Sequence, residues 1–154
     1  MASSYTTNTG LELVTTGEKA GLWGAITNTN LQILEQAATG YLGIDMAGAS
    51  VTLTLTDGAT SNGKNIYLAL TGTLAANRTL TMPATANRVW IVKDETVRGT
   101  SNRTLGVLTA SGSTTTQIPP GATVLCRSNG SETDVTIIYV DATRGWAYKT
   151  NYTS

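Results

Sequence analysis

Two periods divide the chain. Apolar residues fall at Leu22, Trp23, Ile26, Ile33, Leu34, Ala37 and Ala38, with Leu31 between them. That 3.6-residue spacing makes one broad apolar stripe and predicts an amphipathic helix over about residues 22–38. Gly40 is expected to end it as a left-handed cap, and Thr15-Thr16-Gly17-Glu18 fits a capping box ahead of it. Beyond Gly48 the period falls to two. Val51-Thr52-Leu53-Thr54-Leu55-Thr56 alternates strictly, as a half-buried strand with threonine outward does, and Asp57-Gly58 follows as a turn. Further strands read as Asn65–Thr71, Thr79–Met82, Arg88–Lys93, Thr104–Thr109, Thr123–Arg127 and Asp134–Val140, separated by Gly-, Asn-, Ser- and Pro-rich turns. Short strands punctuated in this way predict a mainly β fold, an antiparallel β-sandwich or barrel preceded by one N-terminal α-helix. Thr-Leu-Thr occurs at 52–54 and 79–81, and two copies are too few to predict a repeat architecture. The chain therefore divides into residues 1–48 with the helix, a β-domain over 49–140, and a C-terminal arm over 141–154.

Composition sharpens this picture. Only 13% of the 154 residues are charged, against roughly 25% in an ordinary soluble domain. Threonine, with 30 residues, takes up the difference; its strand propensity and hydroxyl suit the wet face of a sheet. There is no histidine, which excludes a Ser-His-Asp triad and any His-ligated metal. One cysteine, Cys126, excludes an internal disulfide framework; mid-strand, it reads as a small core residue. No window approaches the ~20 apolar residues of a membrane span, and the N-terminus lacks the basic and apolar regions of a secretory signal.

The net charge is zero but unevenly placed. Residues 1–63 carry Lys19 against Glu12, Glu18, Glu35, Asp45 and Asp57; residues 64–103 carry Lys64, Arg78, Arg88, Lys93, Arg98 and Arg103 against Asp94 and Glu95. Either this is chance on a sparsely charged surface, or an acidic front meets the basic middle of another copy. The wide spacing of the basic residues argues against nucleic-acid binding.

Candidate chemistry is thin. The carboxylate pairs Asp94-Glu95 and Glu132-Thr133-Asp134 sit at a strand end and in a turn, where solvated charge is the ordinary reading. No metal site and no cofactor are expected, and the reading is of a chain that is not an enzyme. Asn30 lies in the helix stripe, where it either fixes register between helices of an oligomer or hydrogen-bonds a loop of its own chain. Trp23 and Trp90 read as core or interface. Trp146, Tyr148 and Tyr152 in the arm are the candidates for contact with a partner or a glycan.

Two stretches carry a resemblance. Leu11-Glu12-Leu13, Gly17-Glu18, Gly21-Leu22-Trp23-Gly24 and Asn28-Thr29-Asn30-Leu31 form one; Leu70–Pro83, with Val89–Asp94 and Ile118-Pro119-Pro120-Gly121, forms the other. Together they resemble the N-terminal segment and small β-domain of tail fibres and related virion proteins of tailed bacteriophages. The resemblance implies a virion structural protein, typically a homotrimer, assembled in the bacterial cytoplasm. Its N-terminal part would dock on other proteins of the tail or capsid. Leu22, Trp23, Ile26, Asn28, Asn30, Leu31, Ile33 and Leu34 are the candidate docking or oligomer-interface residues, on a helix that packs on its own β-domain or on symmetry mates. A short tail fibre or fibre adaptor is the first expectation. A capsid decoration protein and a carbohydrate-binding module, which would contact host surface glycan, are the alternatives. No catalytic residue is implied.

Overall fold

The structure, a computed structural model, describes residues 3–84, 87–99, 102–109, 115–129, 138–141 and 145–148, the last two stretches as backbone. The chain opens with a small antiparallel pair, β1 (Ser4–Tyr5) and β2 (Glu12–Leu13). The predicted helix follows as α1 (Trp23–Thr39). Its N-cap is Leu22, with no side-chain cap, so Thr15 and Glu18 do not form the expected capping box around the helix start. Gly40 is not left-handed either: its φ is −62° and its ψ 131°, and the chain passes straight into a strand. Glycine is needed there for proximity, since a Cβ would lie 2.5 Å from the Gln36 carbonyl and 2.6 Å from Asn65 Oδ1.

From Tyr41 the chain winds between two facing sheets. β3 (Tyr41–Asp45), β5 (Tyr67–Thr71) and β7 (Asn87–Asp94) lie in one sheet; β4 (Val51–Thr52), β6 (Arg78–Met82) and β8 (Leu105–Thr109) lie in the other. Successive strands within each of these sets are parallel. Tyr41 pairs with Tyr67 and Tyr67 with Ile91, while Val51 pairs with Leu80 and Leu80 with Val107. The result is three turns of a flattened parallel coil, in which each strand's return path carries a strand of the opposite sheet. The chain then reverses. β9 (Thr116–Gln117) pairs antiparallel with β8, and β10 (Thr123–Asn129) pairs antiparallel with β7. β11 (Ile138–Asp141) and β12 (Gly145–Tyr148) extend the first sheet to the order β12-β11-β10-β7-β5-β3.

The mainly β fold with one preceding helix is thus as expected, but the sheets are mixed rather than antiparallel, and they do not close into a barrel. An antiparallel fold would make the turn residues chain reversals, whereas from β3 to β8 they mark a change of sheet. The spacing of the two Thr-Leu-Thr segments is close to the pitch of this coil, although their register is offset: Thr52 pairs with Thr81. The alternation of residues 51–56 persists, with Leu53 buried and Thr52, Thr54 and Thr56 exposed, yet β4 is only two residues long. Beyond it, polar side chains replace the neighbouring strand: Thr54 N donates to Asn62 Oδ1 at 2.7 Å and Thr56 N to Ser61 Oγ at 3.2 Å.

The core lies between the sheets. Leu68, Leu70, Trp90, Val92, Val124 and Cys126 face Leu80, Met82, Leu105, Val107 and Ile118. Because parallel register stacks equivalent positions, Leu42, Leu68 and Val92 form one row. Trp90 is fully buried, and its indole N–H donates to the Gly63 carbonyl at 2.8 Å, so its one polar group is satisfied.

Candidate docking surface

The helix rests on the molecule by one edge of its stripe. Ile33 is its one buried residue among those described, with Ile26 and Asn30 part-buried. Asn30 answers the alternative posed by the sequence. Its Oδ1 accepts from Glu12 N and its Nδ2 donates to Glu12 O, both at 2.9 Å, so the amide joins α1 to β2 within the chain as a strand neighbour would. Gln36 Oε1 adds a contact by accepting from Ser61 N at 3.3 Å. Glu12 itself is held ionised below its ordinary range, first by the hydroxyl of Ser3, which donates to it at 2.7 Å, and then by Lys19 at 3.3 Å.

The rest of the stripe faces water. Trp23 is 64% exposed, Leu31 58% and Leu34 45%; Leu22, at the cap, and Asn28 are exposed as well. At 3.6 residues per turn, Trp23, Leu31 and Leu34 fall within about 80° of one another around the axis. A tryptophan and two leucines therefore share one uncovered side of the helix. Nothing in sequence periodicity could show this, since it gives the width of a stripe and not which part is covered.

The charges have a use within the chain that neither sequence reading gave. Five of the six basic residues between 64 and 103 donate to backbone carbonyls of their own chain. Lys64 Nζ reaches Thr56 O and Ala59 O at 2.6 and 2.7 Å. Arg78 gathers Met46 O, Ala47 O and Gly48 O at 2.9–3.1 Å. Arg88 donates to Lys64 O, Lys93 to Gly121 O and Arg98 to Ile118 O. These carbonyls lie where the chain crosses between sheets and the ladders leave them unpaired. Burial lowers the pKa of the Lys64 ammonium, opposed by the nearby Asp57 carboxylate, and burial also lowers Arg88.

The carboxylate pair 94–95 is split. Asp94 is buried, ion-paired with Arg98, and accepts from Thr96 N at 2.9 Å and Thr96 Oγ1 at 2.6 Å; Glu95 is exposed. Glu132 and Asp134 lie outside the described residues. A polar cleft of about 190 Å³ lies between Thr7, Asn8 and Thr9 of the first loop and Leu55, Asp57 and Lys64. Among the described residues no group of three or more Cys, Asp and Glu is placed to hold a metal ion, and no helix is long and apolar enough to cross a membrane.

The chain matches no protein-family model, no curated protein and no solved structure.

Of the arm residues, Trp146 and Tyr148 lie on β12 at the edge of the six-stranded sheet, with their backbone paired to Val140 and Ile138; Tyr152 lies outside the described residues. Cys126 is a buried core residue whose thiol is pushed up to about 12 by desolvation, so it holds its proton and is a poor nucleophile. The surface with the most chemistry left unused is the outer side of α1. Sequence reasoning missed β3, because Gly40 reads as a helix cap and the five residues after it are too few to establish a period of two.

Proposed function

We propose that this chain is a non-enzymatic structural protein of a tailed-bacteriophage virion, a short tail-fibre or fibre-adaptor component that docks on the particle through α1 and assembles as an oligomer, a homotrimer by the resemblance carried by residues 11–31, 70–83, 89–94 and 118–121. The observation that carries the reading is the uncovered stripe of Trp23, Leu31 and Leu34. These three side chains expose on the order of 300 Å² of apolar surface, worth roughly 7 kcal/mol gross if covered, before the costs of association. A patch of about 300 Å² matches the largest apolar patch of an ordinary monomer, and such a patch is often the functional one. The scaffold behind it suits a mechanical role: charge is sparse and largely satisfied internally, and threonine faces solvent.

The test is antibody-gold labelling of intact particles together with incorporation of variants. Gold at the tail, with incorporation lost in Trp23→Asp/Leu34→Asp, is the expected result. Gold over the head would replace the tail reading with a capsid decoration protein. Absence from particles would overturn both. Binding to host glycan that depends on Trp146 and Tyr148 would then favour a carbohydrate-binding module.

A further inference from the structure

The six-stranded sheet ends at β3, and the backbone of that edge points to a specific occupant. In a parallel ladder alternate residues turn both their N–H and C=O toward the neighbouring strand. Gly40 O accepts from Tyr67 N at 3.0 Å and Met46 N donates to Thr71 O at 2.9 Å, so residues 40, 42, 44 and 46 turn toward β5. Tyr41, Gly43 and Asp45 therefore turn their backbone groups away from the sheet. All three are exposed, Tyr41 to 64%, and for Gly43 exposure is exposure of the backbone itself. Among the described residues no strand pairs with this edge.

Proteins guard such edges with lysine, proline, bulges or a covering element. β3 carries neither lysine nor proline, and its one charge, Asp45, is turned to its own following turn, where Oδ1 accepts from Ala47 N at 2.8 Å. β4, the edge strand of the opposite sheet, lies at the same end of the coil.

We infer that β3 is a self-pairing edge whose occupant is β3 of a second copy, antiparallel and centred on Gly43. The sequence is complementary to itself in that register. Gly43 meets Gly43 on the two-fold axis, and Tyr41 of each copy meets Asp45 of the other. Every outward N–H and C=O of the three residues then finds a partner. Leu42, packed against the core, meets the buried Ile44 of the other copy, which extends the apolar layer. No like charges are opposed, because Asp45 faces tyrosine and not a second aspartate. The contact is isologous and closes at two chains. It rests on the backbone geometry and not on the virion reading; beside the homotrimer proposed above it requires six chains, two trimers paired through β3.

Engineered cysteines test the register. Gly43 has open space around the position of a Cβ and a backbone that accepts a side chain, and buried Cys126 stays silent under mild oxidation. On the axis the two Cα atoms at position 43 lie about 5.5 Å apart, within disulfide range. Gly43→Cys is expected to cross-link rapidly into a covalent dimer. Asp45→Cys alone is not, since its two copies lie about 14 Å apart along the strands. Tyr41→Cys mixed with Asp45→Cys is expected to cross-link as a heteropair. Light scattering of the wild type is expected to give an even number of 16.1 kDa chains, and Gly43→Lys, which sets two ammonium groups on the axis, a folded protein with that association lost. A wild type that is monomeric or purely trimeric at its highest soluble concentration overturns the inference. So does association that survives Gly43→Lys, or equal cross-linking at positions 43 and 45. Loss of particle incorporation on altering α1 bears on the virion proposal alone.

Discussion

Arg78 shows what charge does in this molecule. One guanidinium gathers three carbonyls of the β3–β4 crossover, Met46, Ala47 and Gly48, which no ladder reaches. Arg78→Met is expected to leave them without a protein donor and to cost about 1–3 kcal/mol in urea unfolding. Arg103→Met, at a residue with no such carbonyl contact among those described, is expected to stay within about 0.5 kcal/mol of wild type. Cys126 makes a prediction in pH. Its native thiol holds its proton to about pH 12, against 9.0 for an ordinary thiol, so the unfolded chain deprotonates first and stability falls as pH rises from 9 toward 12. By pH 10 the loss is about 1 kcal/mol. Lys64 acts in the opposite sense: its native pKa lies below the ordinary 10.5, so stability gains as pH rises toward that value. The thiol's contribution is therefore read as the difference between wild type and Cys126→Ala across that range, which should move against the wild type as pH rises.

Individual elements are held by a few polar ties. Parallel register places Asp94 beside Leu70 and Ile44, a row otherwise apolar. The carboxylate is tolerated because Arg98 and Thr96 close on it. Asp94→Asn should cost about 3–5 kcal/mol by leaving the Arg98 cation without its counter-charge. The double variant Asp94→Asn/Arg98→Met should recover most of that, since Arg98 Nε and Nη1 are buried with no hydrogen-bond partner among the described residues. A double-mutant cycle in denaturant measures both. The first loop is fastened at Gly10, with φ +64° and its carbonyl 2.7 Å from Gly58 N. A Cβ there would lie 2.6 Å from Asp57 Oδ1. Gly10→Ala should lower stability by about 1–3 kcal/mol and make the segment ahead of α1 the first site cut in limited proteolysis.

For the whole molecule, the outer side of α1 should separate assembly from folding. Trp23, Leu31 and Leu34 are exposed, so Trp23→Ala/Leu34→Ala is expected to leave the unfolding midpoint nearly unchanged, with about 0.5 kcal/mol as the bound. The same variant should weaken whatever association α1 supports, read by sedimentation and by incorporation into particles. A large loss of stability would show that the stripe is part of the fold and remove it as a docking surface.

What could be read from the residues alone was whatever local periodicity encodes. The 3.6 spacing of Leu22–Ala38 located α1, and the alternation after Gly48 located strand positions and their wet threonine face, because a side chain's direction within one element depends only on backbone geometry. The absence of histidine and the single cysteine excluded chemistry by simple inventory. Which strand lies beside which was decided elsewhere. Turn residues look alike whether the chain reverses into a hairpin or crosses to an opposing sheet, so the parallel coil, the strand at Tyr41–Asp45 and the internal use of the basic residues emerged only in three dimensions. So did the division of the helix stripe, whose one margin is covered by Glu12 and Ser61 while Trp23 is left in water. Covering is a property of distant segments, and hydrophobicity along a helix says only what could be buried, not what the rest of the chain reaches.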